Sequence, residues 1–503
     1  MKQVNKILHR YVGLFVSIVL LFFSVSGIIL NHRSVFSSVD VSRDLLPNDY
    51  KYKNWNNASV RGSVRLDSNK ILLYGNIGIW QTDTLFSKVS DFNMGFPKGI
   101  DSKKTSKIIQ SPKGVLAATL FGLYVFDNSI HKWRKIILPV NEENVVDLLM
   151  VNEKILILTR SNLLETNDLI KFSIIKLPCS TDYDNKIGFF KTLWVIHSGE
   201  VYGFIGRILV DLVGGVCLFL SIGGIIIFTS RRVMKRYKNN ISILNNAKKM
   251  VVFNLHWHNK IGIIFAILLL VTTVTGMFLR PPLLIPIVNC KVYKIPFSEL
   301  DTPNPWFDKL RRIIYMSEYS EYIISTSDGF YKFDKDFKTK AKALELQPPV
   351  SVMGVTVLEN VGKDCILVGS FQGLYSWNVK SGYVFDIMKN EPYLFANKSG
   401  SPVGEFKISG FTHDFKNLPV ALDYQLGAID LISNKNFQSM PKELILCAPI
   451  SLWNLALEIH TGRIFSSLIG MFYLLYIPLG GLLILVTIIT GVILWFKVRQ
   501  SSR

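Results

Sequence analysis

His9-Arg10-Tyr11-Val12-Gly13 opens an apolar run, and the pattern returns as His258-Asn259-Lys260-Ile261-Gly262. In both copies a small-residue pair closes fourteen positions after the glycine: Ser26-Gly27 first, then Thr275-Gly276. Residues 11–30 and 261–279 are each about long enough to cross a bilayer, which takes ~20 apolar residues. Two further apolar runs, 208–228 and 469–496, follow a second repeated motif, His197-Ser198-Gly199 and His460-Thr461-Gly462. Pro478 and Gly480-Gly481 in the last run can kink a membrane helix without ending it. The chain therefore reads as two similar halves, each an apolar helix, a long polar insert, a His-Ser/Thr-Gly entry and a second apolar helix.

The composition agrees. Apolar residues make up 49% and charged residues 19%, which leans away from an ordinary soluble protein. The expected fold class is a membrane α-helical region of four transmembrane helices with a pseudo-two-fold repeat, plus an all-β periplasmic region. The expected segments are helix one over 1–32, a β insert over 33–196, helix two over 197–230 and a basic connector over 231–256. Helix three follows over 257–281, a second β insert over 282–458, and helix four with the tail over 459–503. A cleaved signal peptide is the other reading of the first run. That run is long for one, lacks an A-x-A site, and matches the third run, which cannot be a signal.

Charge sets the expected orientation. The connector carries Arg231, Arg232, Lys235, Arg236, Lys238, Lys248 and Lys249 and no acidic residue; Lys2, Lys6 and Arg10 begin the chain and Lys497, Arg499 and Arg503 end it. Basic short loops stay cytoplasmic, so both termini are expected in the cytoplasm and both inserts on the outward side of the membrane. The net charge of +20 is explained in good part by this bias, and with no nucleic-acid motif beside it a nucleic-acid partner is not expected.

Of five cysteines, Cys217 lies in an apolar helix and reads as a filler. Cys179, Cys290, Cys365 and Cys447 are placed in the outward compartment, where a disulfide can persist. Cys290 and Cys447 sit near the two ends of the second insert, so a clasp between them is sensible, but sequence leaves the pairing open. No C-x-x-C-H occurs, which excludes covalent c-type haem attachment.

The inserts read as strands, and a short motif recurs in them. Gly122-Leu-Tyr-Val-Phe-Asp127 resembles Gly329-Phe-Tyr-Lys-Phe-Asp334 and Gly373-Leu-Tyr-Ser-Trp-Asn378, with weaker copies beginning at Gly78, Asn162 and Gly427. Periods of about 40–50 residues mark β-propeller blades. Three copies per insert predict a six-bladed propeller split 3+3 between the halves; two separate β domains are the alternative.

Only eight histidines occur, and four stand at matched membrane edges. Membrane haem iron takes two imidazoles on opposite sides of the ring, in an apolar pocket. His9, His258, His197 and His460 are therefore the candidate ligands, one pair near each face. Gly13, Gly27, Gly262, Gly276, Gly214, Gly215, Gly480 and Gly481 either clear space for a porphyrin or let helices approach closely. His256 is the rival of His258. His32, at the far end of helix one, has no counterpart in the second half and reads as a ligand, proton donor or substrate contact. Asp211 is expected to pair with Arg207, one turn earlier, or to assist a proton or quinone step. His131 and His413 read as surface or turn residues. No nucleophile elbow, H-E-x-x-H, P-loop or dinucleotide fingerprint is present, so any electron donor must come from outside.

These motifs resemble the PepSY-associated transmembrane helix family, on His9-Arg-Tyr-Val-Gly13 with Ser26-Gly27 through His32-Arg33, His258-x-x-x-Gly262 with Thr275-Gly276, and both His-Ser/Thr-Gly entries. The likeness covers the membrane parts, roughly a third of the chain. It implies an inner-membrane, haem-containing ferrisiderophore reductase with two b-type haems held by His9, His258, His197 and His460. The long, propeller-like inserts depart from that family's small α/β modules. The expected function is a dihaem oxidoreductase taking electrons from a cytoplasmic or quinol donor to a periplasmic iron chelate or protein acceptor, with membrane lipid around it. A homodimer is compatible with this layout. The competing class is a non-enzymatic membrane-anchored scaffold or sensor for a periplasmic partner.

Overall fold

The computed structural model describes residues 2–351, 353–395, 403–415, 418–433, 437–446 and 448–501. The chain forms two compact units, one of residues 1–36, 185–302 and 452–503, the other of 37–184 and 303–451.

Six helices organise the first unit: α1 (Lys2–Asn31), α2 (Phe189–Ser198), α3 (Gly203–Arg236), α4 (Ile241–Met277), α5 (Leu452–His460) and α6 (Tyr476–Ser501). Four of them contribute spans long and apolar enough to cross a membrane. α1 packs between α3 and α6, and α4 does the same from the opposite side. The short helices are exchanged between halves: α2 of the first half lies on α4, and α5 of the second lies on α1. Phe15, Phe22, Ile264 and Ile267 are left exposed on the outer faces, as a hydrocarbon solvent permits.

One boundary differs from the sequence reading. The basic connector 231–256 is largely helical, because α3 runs on to Arg236 and α4 starts at Ile241. Nothing between Gly224 and Gly262 is glycine or proline, so no residue breaks the helices. The break falls at Asn240, whose side chain accepts the Ile243 N–H as an N-cap. At 1.5 Å per residue, the 37 residues of α4 make a rod of ~55 Å, well beyond the ~30 Å of hydrocarbon.

The second unit is built from sheets in which each strand pairs antiparallel with the next in sequence. Among the described residues there are three from each insert, beginning with β1 (Gly62–Arg65), β2 (Thr105–Ser111), β3 (Val145–Val151), β4 (Leu310–Met316), β5 (Val355–Asn360) and β6 (Ile408–Thr412). These first strands neighbour one another in order, and β1 also borders β6. The repeated sequence motif begins the third strand of every sheet. Gly78, Gly122, Gly329, Gly373 and Gly427 there take positive φ, between 86° and 144°, which lets the hairpin turn tightly.

The inserts share their cores. Tyr52, Trp55 and Phe86 of the first pack with Phe415, Val420 and Leu422 of the second, and Leu156 and Leu163 pack with Trp306 and Phe333. Asp40–Val41 and Ile450–Ser451, one from each insert, also pair as a short two-stranded sheet. Neither insert thus buries its apolar faces alone. Cys290 is a free, exposed thiol, and its candidate partner Cys447 lies outside the described residues.

Candidate functional site: two histidine pairs

The four repeated histidines meet as two pairs within the helical unit. His9 on α1 and His258 on α4 have ring centroids 6.3 Å apart, and their planes cross at 79°. His197, near the end of α2, and His460, at the end of α5, have centroids 6.2 Å apart and planes at 57°. An imidazole nitrogen binds a transition metal at about 2.0 Å, so two in-line imidazoles on one metal hold their centroids ~6 Å apart. Both pairs have that separation.

Local structure places them. His197-Ser198-Gly199 and His460-Thr461-Gly462 each end a short helix on a left-handed glycine, with φ of 80° and 74°. Without a Cβ, glycine closes a helix in this way at little strain. The repeated glycine is therefore the turn that aims the chain from the short helix into the next span.

The second ring nitrogens fix the tautomers. His9 Nδ1 lies 3.0 Å from the Thr487 carbonyl and 3.3 Å from Thr490 Oγ1 on α6. His197 Nδ1 lies 2.9 Å from the Thr272 carbonyl on α4. A carbonyl only accepts, so in both histidines Nδ1 carries the proton and Nε2 keeps its lone pair. His460 Nδ1 is 2.9 Å from Ser26 Oγ, and that hydroxyl donates its own proton to the Phe22 carbonyl. His460 thus donates as well. Metal-binding histidines are commonly oriented by such a donation from the other nitrogen. His258 differs: its Nδ1 is buried without a hydrogen bond of normal geometry, the Leu220 backbone being its electrostatic partner.

Glycines clear room beside the rings. A Cβ at Gly276 would sit 2.6 Å from His197, one at Gly491 3.0 Å from His9, and one at Gly27 3.5 Å from His460. Gly223 and Gly224 lie beside His258. The sequence reading named Gly27 and Gly276 but missed Gly491, Gly223 and Gly224, because their helices carry no repeated motif there. Gly13, Gly262, Gly214, Gly480 and Gly481 instead face side chains of neighbouring helices, and nothing lies within 4 Å of a Cβ at Gly215.

The remaining candidates fall elsewhere. His256 is exposed, with its ring edge-on to Trp257. His32 Nε2 is 2.8 Å from Asp211 Oδ2, and Asn31 donates to Asp211 Oδ1 at 2.9 Å. The expected Arg207–Asp211 pair is not formed, because Asp211 faces α1, which offers it two polar partners, while Arg207 Nε is buried without a hydrogen bond. His131 sits at a positive-φ turn and His413 is exposed.

The residues fit a bis-imidazole haem. Among the described residues no third histidine, cysteine or carboxylate joins either pair, which suits a macrocycle that brings its own equatorial donors. Arg10, next to His9, and Arg280, whose charge acts on His460, each hold a buried guanidinium nitrogen with no hydrogen bond. Buried donors of this kind call for acceptors, and a porphyrin's carboxylates are such acceptors.

The helices and these buried pairs define a multi-pass membrane protein with a polar site near each end of its bundle. The chain belongs to the PepSY-associated TM region family, whose model matches residues 180–498, more than half of its length. No curated protein matches it. Among solved structures, the extracellular domain of BT4673 from B. thetaiotaomicron is 10% identical over 73% of this chain and 32% of that one, with a TM-score of 0.37. The chain thus spans about a third of that structure. The computationally designed Ika8 protein is 8% identical over 75% of this chain and 98% of its own, with a TM-score of 0.31. PorZ of Porphyromonas gingivalis, described as a surface component of the type-IX secretion system, is 10% identical over 75% of this chain and 46% of its own, at 0.21. TM-scores this low support no assignment of fold or function.

Proposed function

We propose that this protein is a dihaem membrane oxidoreductase that carries electrons from one face of the membrane to the other. The carrying observation is the pair of 6.2–6.3 Å histidine separations, with three of the four Nδ1 atoms anchored on a neighbouring helix. Haem bound at each pair supplies reversible one-electron chemistry. The chain's own part is to orient the imidazoles through Thr487, Thr272 and Ser26, to leave space at Gly27, Gly276 and Gly491, and to keep water out with apolar spans.

We read both termini as cytoplasmic, a reading supported by the basic residues at the ends of α1, α3, α4 and α6 through the positive-inside rule. The β unit then lies in the periplasm, and we read its six sheets as the blades of one propeller shared by the two inserts. The acceptor consistent with this layout is a ferric chelate or a protein outside the membrane. Adding one electron converts Fe(III) to Fe(II), which oxygen-rich chelators hold less tightly. That step needs no acid–base residue from the chain.

The test is the visible spectrum of the purified protein, oxidised and then dithionite-reduced. The reading expects sharp low-spin b-type bands, about two haems per chain, and loss of one haem from His9→Ala or His460→Ala. A flat spectrum after expression with ample haem would overturn it and leave a membrane-anchored scaffold.

A further inference from the structure

The β unit holds a charged cleft that the histidine pairs do not involve. Its origin is a repeated irregularity: the register with the second strand slips between Thr105 and Lys107, Val145 and Asp147, and Leu310 and Arg312. The same slip recurs between Val355 and Val357, and between Ile408 and Gly410. Bulges re-aim side chains, and here they act at one equivalent position in successive sheets. Lys107, Asp147 and Arg312 share that position, and with Arg61, Tyr74 and Glu359 they line a single cleft. The cleft is small, with room for about one water-sized group, and it opens to solvent.

The charges are unevenly satisfied. Arg312 is buried and donates to Asp147 Oδ1 and to the carbonyls of Ser106, Val146 and Thr356. Asp147 also accepts the Ile313 N–H. That pair is complete. Among the described residues, the side chains of Arg61, Lys107 and Glu359 have no hydrogen-bond or ion-pair partner. Arg61 is nonetheless held firmly, its N–H donating to the Tyr74 carbonyl and its carbonyl accepting from Phe411. Burial, and then the like charge of Arg312, pull the Arg61 guanidinium down to about 10. Lys107 is pulled down by burial, but the acidic groups beside it, Tyr74, Glu359 and Asp147, outweigh it, so its net shift is upward; burial raises Tyr74 itself, so its hydroxyl keeps its proton. Partly desolvated cations without partners are costly. With Arg312 and Asp147 neutralised and Glu359 offsetting one cation, a single positive charge remains.

We propose that this cleft binds a small anion through a carboxylate or phosphate head, held by the Arg61 guanidinium, the Lys107 ammonium and the Tyr74 hydroxyl. Arg61 offers the fork that suits two oxygens of one head, and Lys107 adds a point charge. The small cleft admits only the head, and the body of the ligand lies outside it in solvent. Glu359, which lines the same cleft, disfavours dianions and rewards a ligand with a donor beside its anionic head. The inference does not depend on haem.

The experiment is calorimetric titration of the full-length protein in detergent with sodium acetate and with inorganic phosphate, at constant ionic strength in chloride, with acetamide as the neutral control. Saturable binding of either anion at millimolar concentration or tighter is expected, and the better of the two identifies the head. Arg61→Gln and Lys107→Gln should each weaken it roughly 10- to 100-fold, the worth of a charge-assisted hydrogen bond. Glu359→Gln should tighten it, an outcome that misfolding cannot imitate. No binding of either anion to the native protein, or equal binding by native protein and both cation variants, overturns the proposal.

Discussion

His197 lies so close over Gly276 that a methyl group added there would come within 2.6 Å of the imidazole. The glycine on α4 thus sets how near α2 can bring its histidine to His460. Gly276→Ala must push the ring away and lengthen the 6.2 Å separation of the pair. The expected outcome is a protein that keeps one haem, at His9 and His258, and loses the other. The haem-to-protein ratio measures it. Gly215→Ala, where nothing lies within 4 Å, should leave both haems in place; equal loss from the two variants would mean that helix packing, not ring clearance, decides.

The same pair depends on a hydroxyl. Ser26 accepts from His460 Nδ1 while donating to Phe22, so Ser26→Ala leaves the imidazole N–H without its acceptor in an apolar setting. Removing a hydrogen bond that orients a metal-binding histidine costs about 10- to 100-fold in affinity. Haem transfer to an apo-globin should speed up for one of the two haems and stay unchanged for the other. Ser26→Thr, which retains the hydroxyl, should restore most of the difference.

His32 and His256 serve as internal controls. His32 is engaged by Asp211, and His256 is exposed beside Trp257. His32→Gln and His256→Ala should each retain both haems with unshifted reduced bands, in contrast to any of the four paired histidines. Asp211→Asn should likewise keep both haems, because the residue ties α3 to α1 through Asn31 and His32 rather than touching either pair.

Much of this was legible in the sequence because the repeat is itself physical. His9 and His258, and His197 and His460, recur in two halves, and the structure brings together the residues so related. The left-handed glycines of the His-Ser/Thr-Gly motifs and the turn glycines at five of the third strands were visible for the same reason: a tight turn of positive φ favours glycine. What stayed hidden lacks a residue-type signature. The carbonyls of Thr487 and Thr272 belong to every sequence, Gly491 and Gly223 follow no motif, and the long α3–α4 hairpin shows only as the lack of a glycine or proline across 225–261. Asp211 was misread because helical spacing favoured Arg207, whereas packing of α3 on α1 offered two partners from another helix. The charged cleft was unreadable, since its residues become equivalent only once the bulges set the register.

The Arg312–Asp147 pair spans the two inserts and bears on how the β unit holds together. Arg312 lies on the first strand of the first sheet of the second insert, and Asp147 on the first strand of the last sheet of the first. Both are nearly buried, with side chains 8% and 5% exposed, and the arginine also satisfies three carbonyls. Removing one partner strands a buried charge, which costs about 3–5 kcal/mol, whereas replacing both by apolar residues of similar size is often neutral. Asp147→Ala and Arg312→Met should each lower the unfolding free energy of the β unit by that amount, read from a lowered denaturant midpoint, and Asp147→Leu with Arg312→Met should recover a large part of it. The histidine pairs lie in the other compact unit, so the visible spectrum should not change in any of the three. A single-variant loss near zero would show that solvent reaches the pair, and that burial of the neighbouring strands carries the seam between the inserts.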